Sequence, residues 1–143
     1  MTRVDFYVSP NQEDVARLQL ACRIAEKAYT LDKRVYIHTD DPVSAKQIDD
    51  LLWTFRQGSF IPHCLSGDAN QAHSAIVIGY EQTVTDEPQV LINLSGGVPE
   101  FFSRFERIAE IVGGDDATRQ AARDRFKYYR ERGYPLETHE LNG

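Results

Sequence analysis

Cysteine is scarce and unpatterned: Cys22 and Cys64 are the two thiols in 143 residues, and they form no Cys-x-x-Cys pair. A disulfide framework is thereby excluded, and a reduced, cytoplasmic chain is the expectation. No apolar run approaches the roughly 20 residues needed to cross a bilayer. Met1 leads almost at once into the strand-like RVDFYV, with no charged-then-apolar leader between them. His38, His63, His73 and His139 show no zinc-site spacing, and His63 and Cys64 are adjacent, so their side chains diverge. The nucleotide fingerprints are missing as well: VSPNQED follows the first strand where GxGxxG would stand, and neither GxxxxGK[ST] nor GxSxG occurs. No catalytic, metal-binding or cofactor-binding set is recognisable. Positive charge is in deficit too, with 16 Lys and Arg against 22 Asp and Glu and a formal net charge of −6. Long-range repulsion therefore opposes wholesale binding to nucleic acid or an anionic membrane.

What is present fits an ordinary globular chain, 41% hydrophobic and 27% charged. One domain over residues 1–143 is expected, long enough to bury about two-thirds of its unfolded surface. Arg3 to Val8 reads as a strand broken by Ser9-Pro10-Asn11. Glu13 to Thr30 repeats apolar residues at a helical period, Lys33 to His38 is a second strand, and Thr39-Asp40-Asp41-Pro42 offers an N-cap and a helix-starting proline. Val43 to Phe55 continues as a helix. This βαβα order predicts an α/β fold with a parallel core. Ala75 to Ile78 and Val90 to Asn93 read as buried strands joined by an exposed turn over Gly79 to Pro88. Pro99 to Val112 has the three-to-four residue period of a helix, and the residues after Leu136 read as a short polar tail.

Three stretches are candidates for function. Asp115 to Tyr134 carries Arg119, Arg123, Arg125, Lys127, Arg130 and Arg132, a concentration of cations on an acidic chain. Capped by Asp115 or Asp116 and stopped at Gly133, it reads as a helix. At about 100° per residue, Arg119, Arg123, Phe126 and Arg130 fall in one stripe. Guanidinium groups beside an aromatic ring suit an acidic peptide with a hydrophobic side chain, or a carboxylate terminus. They also suit nucleic-acid phosphates, and a solvated amphipathic face fits the same spacing. The second stretch, Leu51 to Gly67, crowds Trp53, Phe55 and Phe60 around a helix end and a loop, either as core or as anchors for a partner. The third is Ser95-Gly96-Gly97, where backbone N–H groups before a helix could cradle an anion, making a small nucleotide-binding enzyme the rival reading.

Together these segments resemble the chi-subunit family of bacterial DNA polymerase III. The resemblance runs along essentially the whole chain: DFYV near the start, the long helix into KRVYI, LLW followed by GSFIPH, and ARDRFKYYRERGY. It implies a single Rossmann-like three-layer α/β domain, with a mainly parallel central sheet and helices on both faces, and no catalysis of its own. It further implies a one-to-one pairing with the psi subunit and binding of the acidic, hydrophobic-ended C-terminal tail of single-stranded DNA-binding protein. The tail site would fall on Arg119, Arg123 and Phe126, with Val112, Arg130 and Thr138 beside them. The psi-facing surface, shared in the family with an accessory helicase, would fall on Trp53 and Phe60, with Phe55, Ile61 and His63 as neighbours. This chain has Phe126 and Arg119 where Tyr and Lys are expected, which keeps ring and charge but removes a hydroxyl. Asp68 to Pro88 carries no specific match. Arg125 and Arg132, on the other side of the helix, are expected to be ordinary surface charge.

Overall fold

The computed structural model of the chain describes residues 1–56, 58, 61–68, 74–81 and 89–141. Along these the chain runs β1 (Arg3–Val8), α1 (Asp14–Thr30), β2 (Val35–His38), α2 (Pro42–Thr54), β3 (His63–Leu65), β4 (Ile76–Gly79), β5 (Val90–Asn93), a 3₁₀ turn (Phe102–Arg104), β6 (Arg107–Val112), α3 (Asp116–Glu131) and β7 (Leu136–Glu140). The described strands form one sheet in the order β3-β4-β2-β5-β6-β1-β7. Every pairing in it is parallel.

The sequence dictates a sheet covered on both sides. VYIH, IVIG and VLIN are buried at every position, as central parallel strands are when helices cover each face. On one face Val35, Ile37, Ile76, Ile78 and Ile92 pack with Leu20, Ala21 and Ala25 of α1 and with Ala45, Ile48 and Leu52 of α2. On the other, Val4, Phe6, Tyr36, Leu91 and Ile108 pack under Phe101, Phe102, Phe105 and Tyr129 of α3. The result is the expected three-layer, Rossmann-like α/β arrangement. Asp41 caps α2 by accepting from the Ser44 N–H at 2.7 Å, with Pro42 in its first turn. Burial pushes the Cys22 thiol up to about 12, which leaves it an inert core group.

Three expectations fail, each for a physical reason. Pro99 to Val112 is not one helix: its first part turns as 3₁₀ and Arg107–Val112 is the strand β6. Ile108 and Ala109 are both fully buried on opposite faces, so the apolar pattern lacks the alternation of a half-exposed strand. Glu110, the charged residue between them and Val112, is 0% exposed. Leu136–Glu140 is not a tail but the edge strand β7, held by backbone pairing with β1. His63–Leu65 is also a strand, too short to stand out in sequence. Of the expected turn over Gly79 to Pro88, residues 82–88 lie outside the described residues, as does Phe60.

Near the β7 edge, Asp5 of β1 is fully buried and accepts from Arg107 Nε at 2.6 Å and Arg3 Nε at 3.1 Å, with His139 Nε2 3.1 Å away. Burial alone would push this carboxyl up, but His139, Arg107 and Arg3 outweigh it and hold it below the ordinary range. A lowered folded pKa contributes stability that is present above the unfolded value, about 3.9, and is lost as pH falls through the folded one. Asp5→Asn is therefore expected to destabilise by about 2 kcal/mol at pH 7. In urea titrations the gap to wild type closes as pH drops below about 4; a gap unchanged in acid would refute the ion-pair account.

Candidate functional site

The cation-rich helix is positioned by what it buries. Gly114 at φ +78° makes the turn that enters it, a conformation L side chains disfavour. Asp115 then caps α3 by accepting from the Thr118 N–H at 2.8 Å, and that bond holds its carboxyl below the usual range. Further along, Arg125 is not surface charge. It is 5% exposed and donates from Nε to Glu110 Oε1 at 2.9 Å. Tyr129, one turn later, donates its hydroxyl to Glu110 Oε2 at 2.7 Å, and Asn93 Nδ2 donates to both Glu110 oxygens at 3.1 and 2.9 Å. Burial and the adjacent Glu110 carboxylate push the Tyr129 phenol well above its ordinary range. This network fixes the rotation of α3 about its axis.

With Ala122, Arg125 and Tyr129 turned inward, the Arg119, Arg123, Phe126, Arg130 stripe lies toward β1 and β7. The half-buried Phe126 meets the Phe6 ring edge-on at 5.1 Å. Phe6 stands in register with Thr138 of β7, and Val8 with Val112 of β6. Phe126 and Val112 thus pack on one apolar cluster, with exposed Thr138 at its border. Arg123 is exposed and touches Gln120 Oε1 at 3.3 Å, while Arg130 stands 6.0 Å from the Phe126 centroid. Arg119 is half-buried: its Nη2 donates to the Ser9 and Asn11 carbonyls at 2.9 and 3.0 Å, and its Nε to Gly114 O at 3.2 Å. It clamps the β1–α1 loop through carbonyls, which leaves its charge unneutralised. Among the described residues no carboxylate pairs with Arg119, Arg123 or Arg130, whereas Lys127 lies 3.9 Å from Glu131 and Arg132 covers the Tyr128 ring at 3.5 Å. The arrangement is an apolar floor with an uncompensated cationic rim.

The second candidate surface centres on Trp53 in the last turn of α2, an indole 54% exposed. Its ring lies 4.2 Å from that of His63. His63 is held from both ends, Nδ1 2.7 Å from the Ile61 carbonyl and Nε2 3.0 Å from the Asp49 carbonyl, so the indole rests on a fixed base. Ile61 is 3% exposed and Phe55 half-buried, both packed in the core. Trp53 is thus the described residue of this group that presents a large apolar surface to solvent. His63 belongs to edge strand β3 and Thr138 to edge strand β7, so the two candidate surfaces lie at opposite edges of the sheet.

The glycine loop does not form an anion cradle. The Gly96 N–H donates to both Asp40 oxygens at 3.2 Å, and a 3₁₀ turn rather than a helix follows it. The ligand atoms of Asp5, Glu137 and His139 come within 4.8 Å of one another, but two guanidinium groups already occupy the Asp5 carboxylate. Sequence reading missed both this cluster and the Glu110 network. The one signal for the latter was a glutamate inside an otherwise apolar run.

The family model described as "DNA polymerase III chi subunit, HolC" matches residues 1–137. The chain is 45% identical over 141 residues to the DNA polymerase III subunit chi of Pseudomonas aeruginosa, covering 99% of this chain and 98% of that one. To the protein of the same name in Escherichia coli K12 it is 32% identical over 143 residues, covering 96% and 97%. With that of Haemophilus influenzae it shares 31% over 137 residues, covering 95% of each.

Proposed function

The chain belongs to the family of DNA polymerase III chi subunits, and from that premise we propose that it is a non-catalytic adaptor, joining the clamp loader through the psi subunit to the acidic C-terminal tail of single-stranded DNA-binding protein. The observation that carries this reading is the cationic rim of Arg119, Arg123 and Arg130 around the apolar floor of Phe126 and Val112, with no carboxylate pairing those cations among the described residues. A peptide with several carboxylates and a terminal phenylalanine complements both parts: its carboxylates take charge-assisted hydrogen bonds while its ring covers the floor. Bare nucleic acid fits less well, because Arg125 is buried and Lys127 and Arg132 are engaged along the helix, which breaks any continuous track for phosphates. Trp53, exposed and seated on His63, has the character of an interface anchor and is assigned to psi, with the accessory helicase as a second user of the same surface.

Calorimetric titration of the full chain with a synthetic tail peptide tests the reading. One-to-one binding that weakens with added salt and with removal of the terminal phenylalanine is expected; no heat at low salt would contradict it. Trp53→Ala is expected to weaken psi association by about 2 kcal/mol while leaving peptide affinity unchanged. A folded Trp53→Ala protein that loses both partners would reject two independent surfaces.

A further inference from the structure

β7 closes one edge of the sheet and leaves its own outer side open. The Val4 N–H donates to the Pro135 carbonyl at 2.9 Å and the Leu141 N–H donates to the Val8 carbonyl at 3.0 Å, in a register that pairs Val4 with Leu136 and Val8 with Glu140. Along a parallel ladder the backbone groups of successive residues turn alternately to the two sides. The odd-numbered residues therefore face β1, and the N–H and C=O groups of Leu136, Thr138 and Glu140 face away from it. No described strand pairs with that side. Such a row of free backbone groups is a template for another strand. LETHE carries neither lysine nor proline to blunt it, its register with β1 runs without a bulge, and it is five residues long against three for the opposite edge strand β3.

What flanks that edge is a second, independent observation. On the α3 side stand the exposed Arg123 and Arg130 and the half-buried Phe126, with Thr138 at their border. On the opposite face the Arg3 side chain, 55% exposed, reaches β7 and stands 3.9 Å from Glu137 Oε2. An extended segment laid about 4.8 Å beyond β7 runs between these two sets. Its successive side chains point to one set and then to the other.

Charge selects the occupant. A second copy of this chain would set its own Glu137 and Glu140 against the same two residues, and like charges facing each other destabilise a strand pair. An acidic segment with a hydrophobic end meets cations on both faces instead: Glu137 is already met by Arg3, and Glu140 is outnumbered by Arg119, Arg123 and Arg130. We propose that the acidic tail of single-stranded DNA-binding protein binds as an added strand on the outer edge of β7, its backbone pairing with Leu136, Thr138 and Glu140 while its phenylalanine covers Phe126. Backbone pairing then supplies affinity and the flanking side chains supply selectivity. This binding mode rests on the tail-binding reading of α3, to which it adds the backbone edge of β7.

Amide hydrogen exchange of the ¹⁵N-labelled full chain, read by nuclear magnetic resonance with and without a saturating synthetic tail peptide, is the test. The Leu136, Thr138 and Glu140 amides are expected to exchange freely in the chain alone and to slow by about tenfold or more in the complex. Those of Glu137 and His139, already bonded to β1, are expected to change little. Tail peptides N-methylated one residue at a time are expected to lose about tenfold in affinity at alternate positions and to bind normally at the positions between. Thr138→Pro, which removes an N–H that the fold leaves unpaired, is expected to weaken binding about as much, whereas Thr138→Val keeps it. Peptide binding that depends on Arg123 but leaves the three amides unprotected, tolerates every N-methylation, or falls equally in the two Thr138 variants overturns the added strand and retains the α3 site. Absence of any peptide binding overturns both.

Discussion

Glu110→Ala is expected to destabilise the chain by about 3 to 5 kcal/mol, because removing one member of a buried ion pair leaves the other without compensation. Three side chains lose an acceptor at once: Tyr129, together with Arg125, 5% exposed, and Asn93, which keep as donors only their bonds to the Gly96 and Gly97 carbonyls. Guanidinium denaturation of wild type and variant gives the difference directly, and a loss under about 1 kcal/mol would show that Glu110 is not the anchor of α3. The double variant Glu110→Met, Arg125→Met is expected to recover part of the loss, since matched apolar groups replace a buried ion pair at little net cost. The same variants reach function. Glu110 sets the rotation of α3, so Glu110→Ala should also loosen the geometry of the Arg123 and Phe126 surface and weaken peptide binding without touching a residue that contacts the peptide.

Arg123→Ala is expected to weaken tail-peptide binding at least tenfold, in line with the roughly 2 to 4 kcal/mol lost when a charge-assisted contact desolvated in a complex is cut. Its structural setting makes the result easy to interpret. Arg123 is exposed and bonded among the described residues to Gln120, so the variant should keep its folding stability within about 0.5 kcal/mol and lose binding alone. Arg119→Ala differs, because Arg119 also holds the Ser9, Asn11 and Gly114 carbonyls and its removal should reduce both stability and binding. Wild-type affinity of Arg123→Ala in calorimetry would remove the tail site from this helix.

These contrasts show what the sequence makes legible. The stripe from Arg119 to Arg130 follows from the helical period alone, because helix geometry is local, and the caps Asp41 and Asp115 fall within the short acidic stretches that the sequence offers for them. The burial of Arg125 does not follow, because its partner Glu110 is 15 residues away in a segment whose period imitates a helix. β7 was hidden for the same kind of reason: LETHE carries little apolar character, and it is a strand because β1 offers it a backbone edge. The meeting of Asp40 with Gly96 is beyond any local reading, since it joins two loops 56 residues apart in the chain.

The central claim is that one chain holds psi and the single-stranded DNA-binding protein at separate surfaces. Sedimentation velocity of the chain mixed with both partners tests this most directly. A single faster-moving species containing all three proteins is the predicted result, shrinking to the psi complex with Arg123→Ala and to the tail complex with Trp53→Ala. Displacement of psi by the tail-bearing protein, so that only two-component complexes are found, would contradict it.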